Sequence, residues 1–141
     1  MLQGIPSVLS PELLKTLMEM GHGDEIVLAD GNFPSHTMGK RVIRADGLGV
    51  PALLDAVLRL MPLDTYVATP VALMRVVPGD PVETPIWDVY REIIEKHAPK
   101  TKIEFLQRYA FYERAQKCFA AVQTGESALY ANILLKKGVV V

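Results

Sequence analysis

The chain has 141 residues, 50% of them hydrophobic, a length that buries roughly two-thirds of its extended surface around a single core. Its 15 basic and 16 acidic residues leave a formal charge of −1, which excludes the electrostatic footprint of non-specific nucleic-acid binding or a polybasic membrane anchor. A single cysteine, Cys118, rules out an intramolecular disulfide or a cysteine-based zinc site and suits the reducing cytosol.

The N-terminal stretch "MLQGIPSVLSPELLK" has no basic segment leading into a long apolar run, so neither secretion nor membrane spanning is expected. Ser10-Pro11-Glu12 reads as a helix start: a capping hydroxyl, a proline at the first helical position and a carboxylate at the positive helix end. The helix is expected to run to Met20 and end on a left-handed Gly21, leaving His22 just past its C-terminus. "EIVLA" from Glu25 is a short buried strand, and "GNFPSHTMG" a loop punctuated by glycine and proline.

"KRVIRA" reads as a second strand, and "VPALLDAVLRLMP" has the i, i+3, i+4 spacing of an apolar helix face. In "TYVATPVALMRVV" a β-branched, apolar strand is expected, with Pro70 marking an edge, a bulge or a break. "PVETPIWDVYREIIEKHAP" is a helix and "KIEFLQ" a strand. "FYERAQKCFAAVQTG" is expected to be helical, with Phe111, Ala115 and Phe119 at turn spacing, and "YANILLKKGVVV" to close as a strand or hairpin. This alternation predicts one α/β domain over 1–141, with a largely parallel sheet flanked by helices and ligands bound outside the carboxyl ends of the strands. Asp30 falls at such an end. No dinucleotide or P-loop glycine spacing is present.

Candidate chemistry starts with His22, because histidine is the side-chain type suited to a general acid near neutral pH; the alternative is a solvated loop histidine helping to cap the helix. Asp30 is either an acceptor for sugar hydroxyls or the Asx-turn residue before Gly31. Asp24 reads as a loop or cap residue and His97 as a helix end. His22, Asp24, Asp30 and His36 form an alternative metal set, but no helical His-x-x-x-His or clustered spacing supports it. Arg108, Tyr109, Tyr130 and Asn132 offer donors and flat rings for gripping a polyhydroxylated ligand, or are core-edge and turn residues. Glu113 and Arg114 read as a solvated helix face or an interface salt bridge. Trp87 and Tyr90 belong to a core helix or, alternatively, an assembly surface.

Taken together, "GIPSVLSPELLKTLMEMGHGDEIVLADGNFP", "RYAFYERAQKCFAAVQTGE" and "YANILLKKGVV" resemble the L-fucose mutarotase and D-ribose pyranase family across nearly the whole chain. "NFPSH" and "FYERAQ" look like the fucose branch. The resemblance implies one sugar mutarotase domain in a ring-shaped homo-oligomer, commonly a decamer with sites at subunit boundaries. It implies interconversion of the anomers of a free monosaccharide, L-fucose, in the cytoplasm, with no metal and no cofactor. It places the proton donor on His22 and sugar-binding residues on Asp30, Arg108, Tyr130 and Asn132. Ala131 stands where some members of the branch have glycine, and its methyl is expected to narrow the pocket. A ribose pyranase, a non-catalytic monosaccharide-binding protein and a metal-dependent hydrolase or isomerase are the competing expectations.

Overall fold

Ser10 opens the first helix in the computed structural model, which describes residues 1–141. Its hydroxyl accepts the Leu13 N–H at 3.1 Å, Pro11 occupies the first helical position, and α1 runs Pro11–Glu19. Its end differs from expectation: Met20 is extended and the left-handed glycine is Gly23, at φ 85°, not Gly21. The Lys137 ammonium supplies what a left-handed cap would have supplied. It donates to the carbonyls of Leu17 and Met20 at 2.8 and 2.5 Å, placing a cation at the negative helix end.

The chain continues as β1 (Glu25–Ala29), a single turn α2 (Ser35–Met38) within the stretch expected to be loop, β2 (Val42–Ala45) and α3 (Val50–Leu60). Then come β3 (Val71–Met74), α4 (Ile86–His97), β4 (Ile103–Leu106), α5 (Arg108–Lys117), β5 (Ala120–Thr124) and β6 (Ile133–Lys136). Pro70 marks a break rather than an edge: β3 begins at the next residue and lies inside the sheet, and the Pro70 carbonyl accepts the Lys136 N–H at 2.8 Å.

The strands form one sheet in the order β2-β5-β1-β6-β3-β4. It is a mixed sheet: β6 runs antiparallel to both β1 and β3, while the remaining pairs are parallel. The short link from Thr124 to Ile133 has no room for a crossover, so β6 re-enters at the end of the sheet where β5 leaves it.

The stretch expected to be one helix therefore divides in two. The helix stops at Lys117, Cys118 is extended, and Ala120–Thr124 pairs with β1 on one side and β2 on the other. A parallel strand buried on both faces has no alternating pattern, and alanines in this one imitate a helix.

Side chains alternate between two cores. Ile26, Leu28, Val122, Ile133 and Leu135 face α1, α3 and α4 through Leu13, Leu53, Val57 and Tyr90. Val27, Ala29, Ala121 and Leu134 face α2 and α5 through Met38, Phe111 and Ala115, with Phe33 from the loop before α2. Fully burying one such leucine or phenylalanine contributes about 1.5–3 kcal/mol, so both faces are committed to packing and the ends of the strands are left for chemistry. No helix is long and apolar enough to cross a membrane.

Candidate active site

Five strands point their carboxyl ends at one rim of the sheet, and β6 begins there. At this rim a cleft of about 250 Å³ is lined by Asp30, Phe33, Met74, Val77, Asp80, Arg108, Tyr112, Tyr130 and Asn132, among others. It is below the roughly 300–1,000 Å³ of pockets that hold drug-sized ligands, which suits a small one.

Asp30 stands just past β1. Its backbone N–H donates to Asn132 Oδ1 at 2.7 Å, and its carbonyl accepts Gln123 Nε2–H at 2.8 Å. Gln123 Oε1 in turn accepts the Ser35 hydroxyl, so β1, β5, α2 and the entry to β6 are tied together beneath the cleft. The Asp30 carboxylate accepts the Asn32 N–H at 2.9 Å. Burial raises its pKa above the ordinary value, against the opposing pull of the Asn32 and Phe33 N–H groups. An acceptor held partly out of water is well placed to receive ligand hydroxyls.

Arg108 opens α5 directly after β4, where Gln107 caps the helix by accepting the Tyr109 N–H at 3.0 Å. Its guanidinium lies 5.5 Å from the Tyr112 ring centre and 5.9 Å from that of Tyr109. The Tyr112 hydroxyl, more than any other neighbour, favours its charged form. Tyr109 itself is largely exposed and lies outside the cleft lining.

Tyr130 has a left-handed backbone, φ 56°, unusual for a residue other than glycine, asparagine or aspartate. Two side chains of α4 hold it there: Trp87 Nε1–H donates to the Tyr130 carbonyl at 2.8 Å and the Tyr90 hydroxyl to the Ala131 carbonyl at 2.7 Å. Burial pushes the Tyr90 phenol far up, keeping it a donor. Trp87 and Tyr90 are thus the backing of the 130–132 segment, a use that their helical spacing did not disclose. Ala131 is fully buried and outside the cleft lining, so its methyl does not narrow the pocket. The Tyr130 hydroxyl donates to Asp80 Oδ2 at 2.6 Å and accepts the Val77 N–H at 3.3 Å.

His22 is elsewhere. It precedes β1, whereas Asp30 follows it, and a five-residue strand spans about 16 Å. Its Nε2 lies 3.0 Å from Asp64 Oδ1, and Asp64 is buried. The Tyr66 N–H, above all, holds the Asp64 carboxyl below the usual carboxylate range, with His22 adding to the effect. An ionised carboxylate only accepts, so Nε2 carries the hydrogen and Nδ1 is the nitrogen left to serve a ligand. The pair is anchored on the far end of β6: Gly23 N–H donates to the Lys137 carbonyl and Asp64 N–H to that of Lys136, at 2.9 and 3.0 Å. The Tyr66 ring lies beside His22 at 5.3 Å and is 80% exposed, and the His22 side chain is 46% exposed. The histidine of this pair faces solvent while its carboxylate partner is buried.

Four of the five expected site residues therefore converge and the fifth is held at the opposite end of the sheet. The alternative metal set does not assemble: His22 and Asp24 precede β1, Asp30 follows it, His36 lies in α2, and no three His, Cys, Asp or Glu gather in ion-binding geometry. Asp24 is a cap, accepting the Gly21 N–H at 2.8 Å, and His97 ends α4 against Asp55 at 2.7 Å. Arg114 is not a solvated residue: it crosses from α5 to Glu25, at 2.7 Å, and to Glu104. Asp64, Asp80 and Tyr112 escaped the sequence reading. For Asp64 and Asp80 the partners lie 42 and 50 positions away, and no local pattern joins them.

The chain is similar over nearly its whole length to known proteins. The family model described as the RbsD / FucU transport protein family matches residues 3–140. Fucose mutarotase of Homo sapiens is 54% identical over 144 residues, covering 98% of this chain and 94% of that protein. L-fucose mutarotase of Actinobacillus pleuropneumoniae is 50% identical over 140 residues, covering 99% and 97%. The crystal structure of the fucose mutarotase from Streptococcus pneumoniae in complex with L-fucose superposes with a TM-score of 0.94 at 56% identity, over 99% of this chain and 100% of that one.

Proposed function

We propose that this chain, which belongs to the RbsD / FucU transport protein family, is an L-fucose mutarotase: an isomerase that interconverts the α and β anomers of free L-fucose. The observation that carries the reading is the convergence of Asp30, Arg108, Tyr130 and Asn132 on one small cleft at the carboxyl rim of the sheet. Residues 1–141 act as one sugar mutarotase domain. It works without a cofactor or a metal, in the cytoplasm, where a lone buried thiol is at home.

Mutarotation needs a proton delivered to the ring oxygen and one withdrawn from the anomeric hydroxyl, giving an open aldehyde that recloses on its other face. A positioned acid or base contributes about 10²- to 10⁴-fold. Asp30 and Asn132 orient the hydroxyls of the sugar, and Arg108 and Tyr130 close around it. His22 is the proton donor, acting through Nδ1 while Asp64 holds Nε2.

The strand between His22 and Asp30 keeps the donor out of its own cleft. His22 therefore serves the cleft of a neighbouring copy, in a head-to-tail contact that closes into a ring, for which a decamer is the expected form. A half-exposed His22 on one rim and an open cleft on the other support that arrangement.

Anomer exchange of L-fucose measured by exchange NMR tests the function, with wild type and His22→Ala compared at equal concentration and D-ribose run in parallel. Fast exchange of fucose, lost in the variant, is the expected result. No acceleration over buffer for either sugar would leave a non-catalytic binder, and acceleration confined to ribose would make the protein a pyranase.

A further inference from the structure

The ring-opening step leaves one task unassigned, the removal of the anomeric proton, and the cleft contains one carboxylate without a task. Asp80 lies on the connection between β3 and α4 and lines the cleft with Asp30 and Arg108. Its Oδ1 accepts the Val82 N–H at 3.2 Å, which fixes the plane of the carboxylate; its Oδ2 accepts the Tyr130 hydroxyl at 2.6 Å.

A phenol has one proton and two acceptor sites. At Tyr130 the proton is committed to Asp80 and one acceptor site to the Val77 N–H. The Tyr130 oxygen can therefore accept from a sugar hydroxyl but has no second proton to donate. We propose that Asp80 is the terminal proton acceptor of the ring-opening step, acting through Tyr130. The inference rests on the mutarotase reading above.

The step balances. The O1–H electron pair becomes the C1=O1 π bond, and the C1–O5 pair departs to O5, which takes the proton carried by His22 of the partner subunit. The O1 proton passes to the Tyr130 oxygen as the phenol's own proton passes to Asp80 Oδ2. A cationic imidazolium and an anionic carboxylate become a neutral imidazole and a neutral acid, so net charge is unchanged. After rotation about C1–C2 the same transfers run backward and reclose the ring on its other face. The hydrogen bond to Asp80 holds the Tyr130 phenol above its ordinary pKa, so it passes a proton on without resting as a phenolate.

Asp80 acts through another residue, and the test must separate relay from scaffolding. Asp80→Asn keeps the size and shape of the side chain and one of its two acceptor oxygens, so that Oδ1 still accepts the Val82 N–H while an amide nitrogen that cannot take a proton faces the Tyr130 oxygen. Measured by L-fucose anomer exchange over a range of sugar concentrations, it is expected to lower kcat about 10²-fold, the lower bound for a lost base, with KM within about threefold. Tyr130→Phe is expected to lower kcat by a similar factor, and adding Asp80→Asn to it to cost nothing more. Either of two results overturns the relay while wild-type exchange stays fast: Asp80→Asn retaining kcat within about twofold, or the double variant falling by the product of the single effects. Absence of wild-type acceleration would instead remove the mutarotase reading itself.

Discussion

Asp30 and Asn132 hold each other across two strands of opposite direction: the Asp30 N–H at the end of β1 donates to Asn132 Oδ1 at the start of β6, at 2.7 Å. Both are buried. Asn132→Leu keeps the shape and removes the acceptor, leaving a buried N–H unpaired. It is expected to cost about 1–3 kcal/mol in urea denaturation and to raise KM for fucose, since Asp30 loses its anchor. A variant as stable as wild type would mean that another group takes the N–H.

Asp30 is itself a source of strain in the fold. Burial raises its pKa, so the native state binds its proton more tightly than the unfolded chain does, and the charged form costs stability at neutral pH. Asp30→Asn is therefore expected to raise Tm at pH 7, by about 3 °C for each ~1 kcal/mol regained, while sugar binding falls. As pH drops through the raised native pKa toward the ordinary value of 3.8, wild type should gain on the variant and the difference should close. Thermal scans from pH 7 to pH 4 check the sign; a gap that widens on acidification would contradict it.

The separation of His22 from its own cleft gives a mixing experiment. His22→Ala and Arg108→Ala are each expected to be inactive. Dissociated and reassembled together in equal amounts, they should recover about one quarter of wild-type sites, where an intact cleft meets an intact histidine across a head-to-tail contact. A histidine acting within its own chain would give no recovery.

Trp87 and Tyr90 support the left-handed Tyr130 from behind. Tyr90→Phe removes a buried donor without changing volume and is expected to destabilise the chain by about 1–2 kcal/mol. Trp87→Phe should cost less stability. Both should weaken fucose binding, read by calorimetric titration, because a residue at positive φ drifts once its supports are gone.

Much of the fold was legible because the signals were local. Ser10-Pro11 named a helix start, "EIVLA" a buried strand, and Asp30 and Arg108 fell where strands end. What escaped was either non-local or chemically ambiguous. Alanines 120 and 121 read equally as helix or interior strand, and only pairing with β1 and β2 decides. No residue in "ILLK" records which way β6 runs; the shortness of its link to β5 does. The Asp64 and Asp80 contacts depend on chain crossings that leave no periodic trace, whereas the four cleft residues stood out because each sits beside a strand end.

The reversed strand also joins the two halves of the sheet. β6 is the last strand of the chain and lies between β1 and β3, joining the β2-β5-β1 half of the sheet to the β3-β4 half. Without β6 each half-sheet would have an open inner edge of unpaired N–H and C=O groups. Ile133–Lys136 closes both edges, brings Asn132 to Asp30, and sets the platform for Asp64 and His22. Fraying of β6 therefore opens two aggregation-prone edges at once and takes Asn132 out of the cleft.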